Sequence, residues 1–106
     1  MAAIARGNQK DKVLSKTGSG DDCKYPKNTT TGTDSSDKVF IQGFGAVVAG
    51  DRVGPHSKRD CIPDTSVLTT YSSKVFVGGK GVGRIGDKYT DDNIIVSGSD
   101  KVFIGG

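Results

Sequence analysis

Cysteine and histidine, the residues best suited to metal binding or nucleophilic chemistry, occur in this sequence only as Cys23, His56 and Cys61. Four residues separate His56 from Cys61, and a turn between them would let both side chains reach one ion. Zinc favours thiolate and imidazole ligands in a tetrahedral arrangement. The residues themselves leave three interpretations open: a metal site, a Cys23–Cys61 disulfide, or two free thiols with a surface histidine.

A catalytic role for the same residues is disfavoured. His56 and Cys61 have the chemistry of a base and a cysteine nucleophile. The chain is short and rich in loop residues, however, so its sequence does not indicate a substrate pocket. Asp51 and Asp87 each follow a glycine, where aspartate commonly caps a turn through a backbone hydrogen bond. We therefore predict that the protein is not an enzyme and has no small-molecule substrate.

The composition predicts a thin core with an additional source of order. Hydrophobic residues make up 33% of the chain, below the usual share, so a metal, a cross-link or a partner is expected to add stability. The net charge is +3, but acidic residues are interspersed with the basic ones, and no basic stripe suggests nucleic-acid binding. No apolar run reaches the length of about 18 residues that spans a membrane, and no signal peptide is evident.

The elements that must position these side chains form an internal repeat. The stretch SSKVFVGGKGVGRIGD at residues 72–87 matches SDKVFIQGFGAVVAGD at residues 36–51, with 8 of 16 positions identical. The first half returns as SDKVFIGG at residues 99–106, and the second half has a degenerate partner, AAIARGN, at residues 2–8. The chain therefore contains a half-unit, two whole units and the complementary half. An internal repeat of this kind largely determines the fold of a chain.

Each repeat unit predicts a short strand, a glycine turn and a return strand. Val39 and Ile41 are expected to point to one side of the first strand and Phe40 to the other. No window shows the 3.6-residue period of an amphipathic helix. We therefore predict an all-β domain spanning residues 1–106, with three β units around a pseudo-three-fold axis. The stretches at residues 18–37 and 52–65 are expected to be loops that close over one end of a tapered body.

The repeat resembles that of PAAR-repeat proteins, the conical spike tips of contractile phage tails and type VI secretion systems. The family pattern is a strand, a glycine turn, a Pro-Ala-Ala-Arg-like tetrad and a Gly-Asp pair. Residues 75–87 match it well, with GVGR at the tetrad. Residues 39–51 carry GAVV there, without the arginine, and residues 2–6 are a compressed copy. The resemblance covers essentially the whole chain and implies a single PAAR domain. The tetrad arginine is expected to be a solvated or ion-paired structural residue rather than a ligand-binding one.

The resemblance implies a structural protein that caps a trimeric β-helical spike shaft, with one tip for every three shaft chains. The tip would sharpen the shaft for puncturing a cell envelope, which it contacts transiently, so the protein would be found in the virion or be secreted by a contractile machine. The shaft-facing base is expected to consist of the three equivalent strands, namely Val39, Phe40, Ile41, Val75, Phe76, Val77, Val102, Phe103 and Ile104.

Two alternatives to a plain tip stay open. One is a type VI adaptor that loads effectors, which is disfavoured because the sequence ends at Gly106 within its last repeat. The other is a free-standing metal-binding β domain. A stable complex with three shaft chains per copy is expected only of the tip.

The resemblance also implies a metal ion near the tip. In the family, histidines and a cysteine from different repeats hold this ion, so Cys23, His56 and Cys61 are expected to converge on one zinc, or on iron. A fourth ligand would come from Asp22, Asp60 or a water, because this chain has a single histidine.

Overall fold

The computed structural model describes residues 2–15, 28–54, 66–90 and 93–105. These residues form short β-strands and isolated bridges and contain no α-helix, which confirms the predicted all-β class. Among them, no helix has the length and apolar character needed to cross a membrane. The strands are β1 (Ala2–Ala3), β2 (Lys12–Ser15), β3 (Asn28–Thr30), β4 (Phe40–Ile41), β5 (Phe44–Gly45), β6 (Phe76–Val77), β7 (Lys80–Gly81), β8 (Asn93–Ile95) and β9 (Phe103–Ile104).

Three antiparallel hairpins correspond to the sequence repeat. β4 pairs with β5 and β6 pairs with β7, so each whole unit of the repeat is one hairpin. β1 pairs with β9, so the two half-units at opposite ends of the chain join to form the third hairpin. Ala3 lies opposite Phe103 in the same register that places Gly45 opposite Phe40. The two half-units are therefore complementary in structure as well as in sequence.

A serine turn leads into each hairpin. The Oγ atoms of Ser36, Ser72 and Ser99 each accept the backbone N–H groups of the residues two and three positions later, at 2.9–3.2 Å. The serine N–H donates to the return segment of its own hairpin, at 2.8–2.9 Å. Serine forms such local side-chain bonds to the backbone readily. This geometry explains why every repeat begins with serine three residues before its valine.

The return segments, residues 3–7, 45–49 and 81–85, meet at the centre of the molecule. Ala5 N donates to Gly83 O at 2.9 Å, Gly83 N donates to Val47 O at 2.8 Å, and Val47 N donates to Ala5 O at 3.2 Å. Each segment thus donates to one neighbour and accepts from the other, and the three bonds close into a ring. This closed ring, the central ring below, defines the pseudo-three-fold axis.

Two cores lie on either side of the central ring because side chains alternate along each return segment. The base core contains Ile4, Ile41, Ala46, Val48 and Val82, with Val75, Val77, Val102 and Ile104 packed against it. The upper core contains Ala5, Val13, Val47, Val53, Leu68, Tyr89 and Ile95. The molecule extends 39 × 23 × 22 Å, and its two similar short dimensions fit three units around one long axis.

A second sheet, in the order β3-β2-β8, covers the upper core. β3 lies within residues 18–37, which the sequence predicted to be loop, so that prediction was wrong at this strand. Val13 of β2 is fully buried in the upper core, whereas β3 has the sequence NTT and occupies the edge. A strand without apolar residues has no alternating pattern by which the sequence could reveal it.

Candidate functional site

The predicted metal ligands Cys23, His56 and Cys61 lie outside the residues that the structure describes, as do Asp22 and Asp60. Within the described ranges, no group of three or more His, Cys, Asp or Glu side chains is arranged to hold a metal ion. The predicted site therefore stays a prediction. The structure describes only the residues on either side of the stretches that contain its ligands.

The described residues that flank the two cysteine-containing stretches lie side by side. Val53 N donates to Ser66 O at 2.9 Å, which joins the two ends of the stretch that contains His56 and Cys61. β2 and β3, which flank the stretch containing Cys23, pair with each other. Gly54 N donates to Thr30 O at 2.7 Å and connects the two pairs. Both cysteine-containing stretches therefore begin and end next to one another.

The phenylalanines predicted to face a shaft lie on the outer surface of the hairpins. Phe40, Phe76 and Phe103 are 59%, 54% and 49% exposed, whereas Ile41 is only 7% exposed. Phe40 and Ile41 therefore differ in burial as the sequence predicted, but Val39 is 39% exposed and does not share the burial of Ile41. We name Phe40, Phe76 and Phe103 the phenylalanine triad. Because its rings are half-exposed in the isolated chain, the large stability loss typical of deleting a buried ring does not apply to them.

Arginines of the tetrad form ion pairs with aspartates that follow them. Arg6 donates from its backbone N to Asp11 Oδ2 at 2.6 Å, from Nε to Oδ2 at 3.0 Å and from NH2 to Oδ1 at 2.9 Å. Arg84 makes the same three contacts with Asp87, at 2.7, 2.9 and 3.1 Å. The hydrogen bonds to these carboxylates raise the pKa of Arg6 and of Arg84. Both arginines are structural.

The first of these pairs is the more buried. The Arg6 and Asp11 side chains are 12% and 2% exposed, against 21% and 6% for Arg84 and Asp87. Asp11 Oδ1 also accepts a hydrogen bond from Ser97 Oγ at 3.0 Å. The sequence alignment placed Asn8 where the other units have their closing aspartate, but in the structure Asp11 takes that role.

The tetrad of the middle unit lacks an arginine. Val48 N donates to Asp51 Oδ2 at 3.0 Å, as the corresponding arginine N–H groups do in the other units. Burial raises the pKa of Asp51, because no hydrogen-bonded cation offsets the cost of desolvating its carboxylate.

Tyr89 carries a buried hydroxyl. The residue is 3% exposed in the upper core, and its oxygen has no hydrogen-bond partner among the residues that the structure describes. Burial, followed by the charges of Asp51 and Asp11, raises the pKa of Tyr89 well above its usual value, so the phenol stays protonated. Nothing in the sequence indicates an unsatisfied hydroxyl at this position.

Replacing Tyr89 with phenylalanine is expected to raise the free energy of unfolding by about 1 kcal/mol, because it removes a desolvated polar group and keeps the ring. Urea denaturation of both proteins measures the difference. Tyr71→Phe is the matched control, since Tyr71 is 42% exposed and its hydroxyl contacts solvent. A loss of stability in the Tyr89 variant alone would show that the hydroxyl has a bound partner in solution.

No protein-family model matches this sequence, and no curated protein matches it either. The function of the protein is therefore inferred from the repeat and from the geometry described above.

Proposed function

We propose that this protein is a spike tip that caps the blunt end of a trimeric β-helical shaft. The observation that carries the proposal is the central ring, in which a single chain presents three equivalent hairpins around one axis. A three-fold shaft end has three equivalent binding surfaces. A single chain can occupy all of them at once only when it repeats its own surface around a matching axis.

The edges of the hairpins support the same proposal. β4, β6 and β9 each belong to a two-stranded sheet, so each has one edge that pairs with no further strand of the described residues. A β-helical shaft also ends in strands whose edges are unpaired, and such edges associate readily with strands of another chain. The half-exposed phenylalanine triad lies on these same strands and provides apolar area for the contact. The tip would then contact the target envelope transiently with its opposite end.

We include in this proposal one zinc ion, or iron, bound by Cys23, His56 and Cys61. Its support is the adjacency of the described residues that flank both cysteine-containing stretches. When bound in a closed site, such an ion contributes folding free energy directly. The upper core is thin and lies among short strands, so that contribution would stabilise it.

Co-purification with a trimeric β-helical shaft fragment tests the tip function. We expect a stable complex that contains one tip and three shaft chains by native mass spectrometry. Replacing the whole phenylalanine triad with serine is expected to abolish the complex, because aromatic side chains dominate binding energy at such interfaces. The variant should retain its β circular dichroism spectrum, since the rings are half-exposed.

Val96→Ser provides the matched control for the triad variant. Val96 is 47% exposed and follows β8, outside the three hairpins, so its loss should leave the complex intact. Undiminished binding by the folded triad variant would exclude the hairpin surface as the shaft contact. Failure of the unmodified protein to bind any trimeric shaft would contradict the proposed function itself.

A further inference from the structure

The middle unit keeps an aspartate pocket whose arginine is missing. Val48 occupies the position that Arg6 and Arg84 occupy in the other two units. Its backbone N–H nevertheless donates to Asp51, just as theirs donate to their own aspartates. The backbone therefore places the Asp51 carboxylate as it places the two carboxylates that bind guanidinium groups.

A groove of about 240 Å³ opens beside Asp51. It is bordered by the serine turn of its own hairpin and by the turn of the next hairpin. Its lining includes Ser35, Ser36, Val48, Asp51, Val77 and Gly78, together with three further charged residues.

The groove corresponds in position to the pocket that Arg6 fills. Arg6 NH2 donates to Gly98 O at 3.1 Å. Gly98 directly precedes the turn serine Ser99, and Ser35 of the groove directly precedes the equivalent serine, Ser36. Arg6 NH1 donates to Gln42 Oε1 at 2.9 Å, in the turn of the neighbouring hairpin. The equivalent turn residue at the groove is a glycine without a side chain, so the space stays open there.

Among the described residues, Asp51 forms no ion pair. Asp37, Lys38 and Lys80 also line the groove, but no salt bridge joins either lysine to Asp51 in the described part of the chain. Asp51 Oδ2 accepts the Val48 N–H, and the described part of the chain supplies no donor for Oδ1. A partly buried carboxylate thus faces an open groove with an unused acceptor.

We propose that this groove binds the guanidinium group of an arginine side chain from a protein that docks against this face. The planar fork of guanidinium matches carboxylate geometry in a way that an ammonium group does not. The same backbone arrangement already binds guanidinium in two other places in this chain, through Arg6 and Arg84. The inference depends on the fold alone and does not require the shaft-capping function. If the partner has three-fold symmetry, the missing arginine would make one of the three otherwise equivalent faces different from the other two.

Methylguanidinium serves as the probe. Its binding is measured from amide chemical shifts in nuclear magnetic resonance spectra of the whole chain. We expect saturable shifts at Val48, Asp51 and Gly78, and weaker binding of methylammonium at the same sites. Asp51→Asn keeps an acceptor for the Val48 N–H but loses the charge, and it should lose the saturable response. Val48→Arg should also lose it, because the introduced side chain fills the groove.

Several outcomes would overturn the inference. Non-saturable shifts in the unmodified protein would show that the groove has no affinity for guanidinium. Equal responses to methylguanidinium and methylammonium would reduce the effect to attraction of any cation. An undiminished response in Asp51→Asn would place the binding elsewhere, and this variant decides the matter even if Val48→Arg fails to fold. None of these results depends on whether the protein binds a shaft.

Discussion

Replacing Asp11 with alanine is expected to lower the free energy of unfolding by about 3–5 kcal/mol, because it leaves a mostly buried guanidinium without its partner. Asp11 is 1% exposed, and its carboxylate accepts hydrogen bonds from Arg6 and from Ser97 Oγ. Urea denaturation monitored by circular dichroism measures the loss. Asp11→Asn keeps the shape of the side chain but removes its charge. Its free energy of unfolding should lie between that of the alanine variant and that of the unmodified protein.

The equivalent aspartates provide a built-in comparison. Asp87→Ala should cost less, about 1.5–3 kcal/mol, since Arg84 is 21% exposed and can turn toward solvent. Asp51→Ala should cost about 1 kcal/mol or less, because its one hydrogen bond comes from a backbone N–H and no cation is left unpaired. Equal losses at all three positions would contradict the view that burial of the ion pair sets its contribution.

Removal of the proposed metal is expected to cause the largest loss of stability of any treatment, since structural zinc contributes on the order of 10 kcal/mol in small domains. Elemental analysis of the purified protein should give about one metal per chain. Chelators and mild acid should both release it, because thiolate and imidazole ligands must lose protons to bind. Cys61→Ser and His56→Ala should each lower the metal content and the Tm.

Lys58→Ala is the matched control for the metal variants, because it changes the same stretch without removing a thiolate or an imidazole. Its metal content should equal that of the unmodified protein. A metal-free native protein with no free thiols would instead establish the Cys23–Cys61 disulfide. The predicted ligand set would then be wrong, although the hairpins and the central ring would be unaffected.

Two of the hairpins could be predicted from the sequence because each one carries its own local signal, and the third because its two halves repeat parts of that signal at the two ends of the chain. The serine that binds the backbone two and three residues later, the apolar pair around phenylalanine and the glycine turn all lie within one short stretch. The alternation that exposes Phe76 follows from strand geometry alone. The second sheet could not be predicted in the same way, because β3 contributes only backbone hydrogen bonds and no apolar side chains.

The ion pairs were only partly predictable. The tetrad arginine was predicted to be a solvated or ion-paired structural residue, and the structure shows ion pairs at Arg6 and Arg84. The partner of Arg6 was missed because its turn is longer than the others. Asn8 and Gln9 both have positive φ, 53° and 61°, whereas the equivalent turn before Asp87 has one such residue, Gly86. Two additional residues move the aspartate along the sequence without moving it in space.

The pairing of β1 with β9 has a consequence for how the chain folds. Two of the hairpins join neighbouring strands and can form locally, but the third requires Ala3 to meet Phe103 across almost the whole sequence. Closing so long a loop costs chain entropy and slows folding. During synthesis the nascent chain cannot complete the third hairpin until Phe103 has left the ribosome. The first two hairpins must therefore wait, with the side chains of the base core incompletely covered, for the last strand to be made.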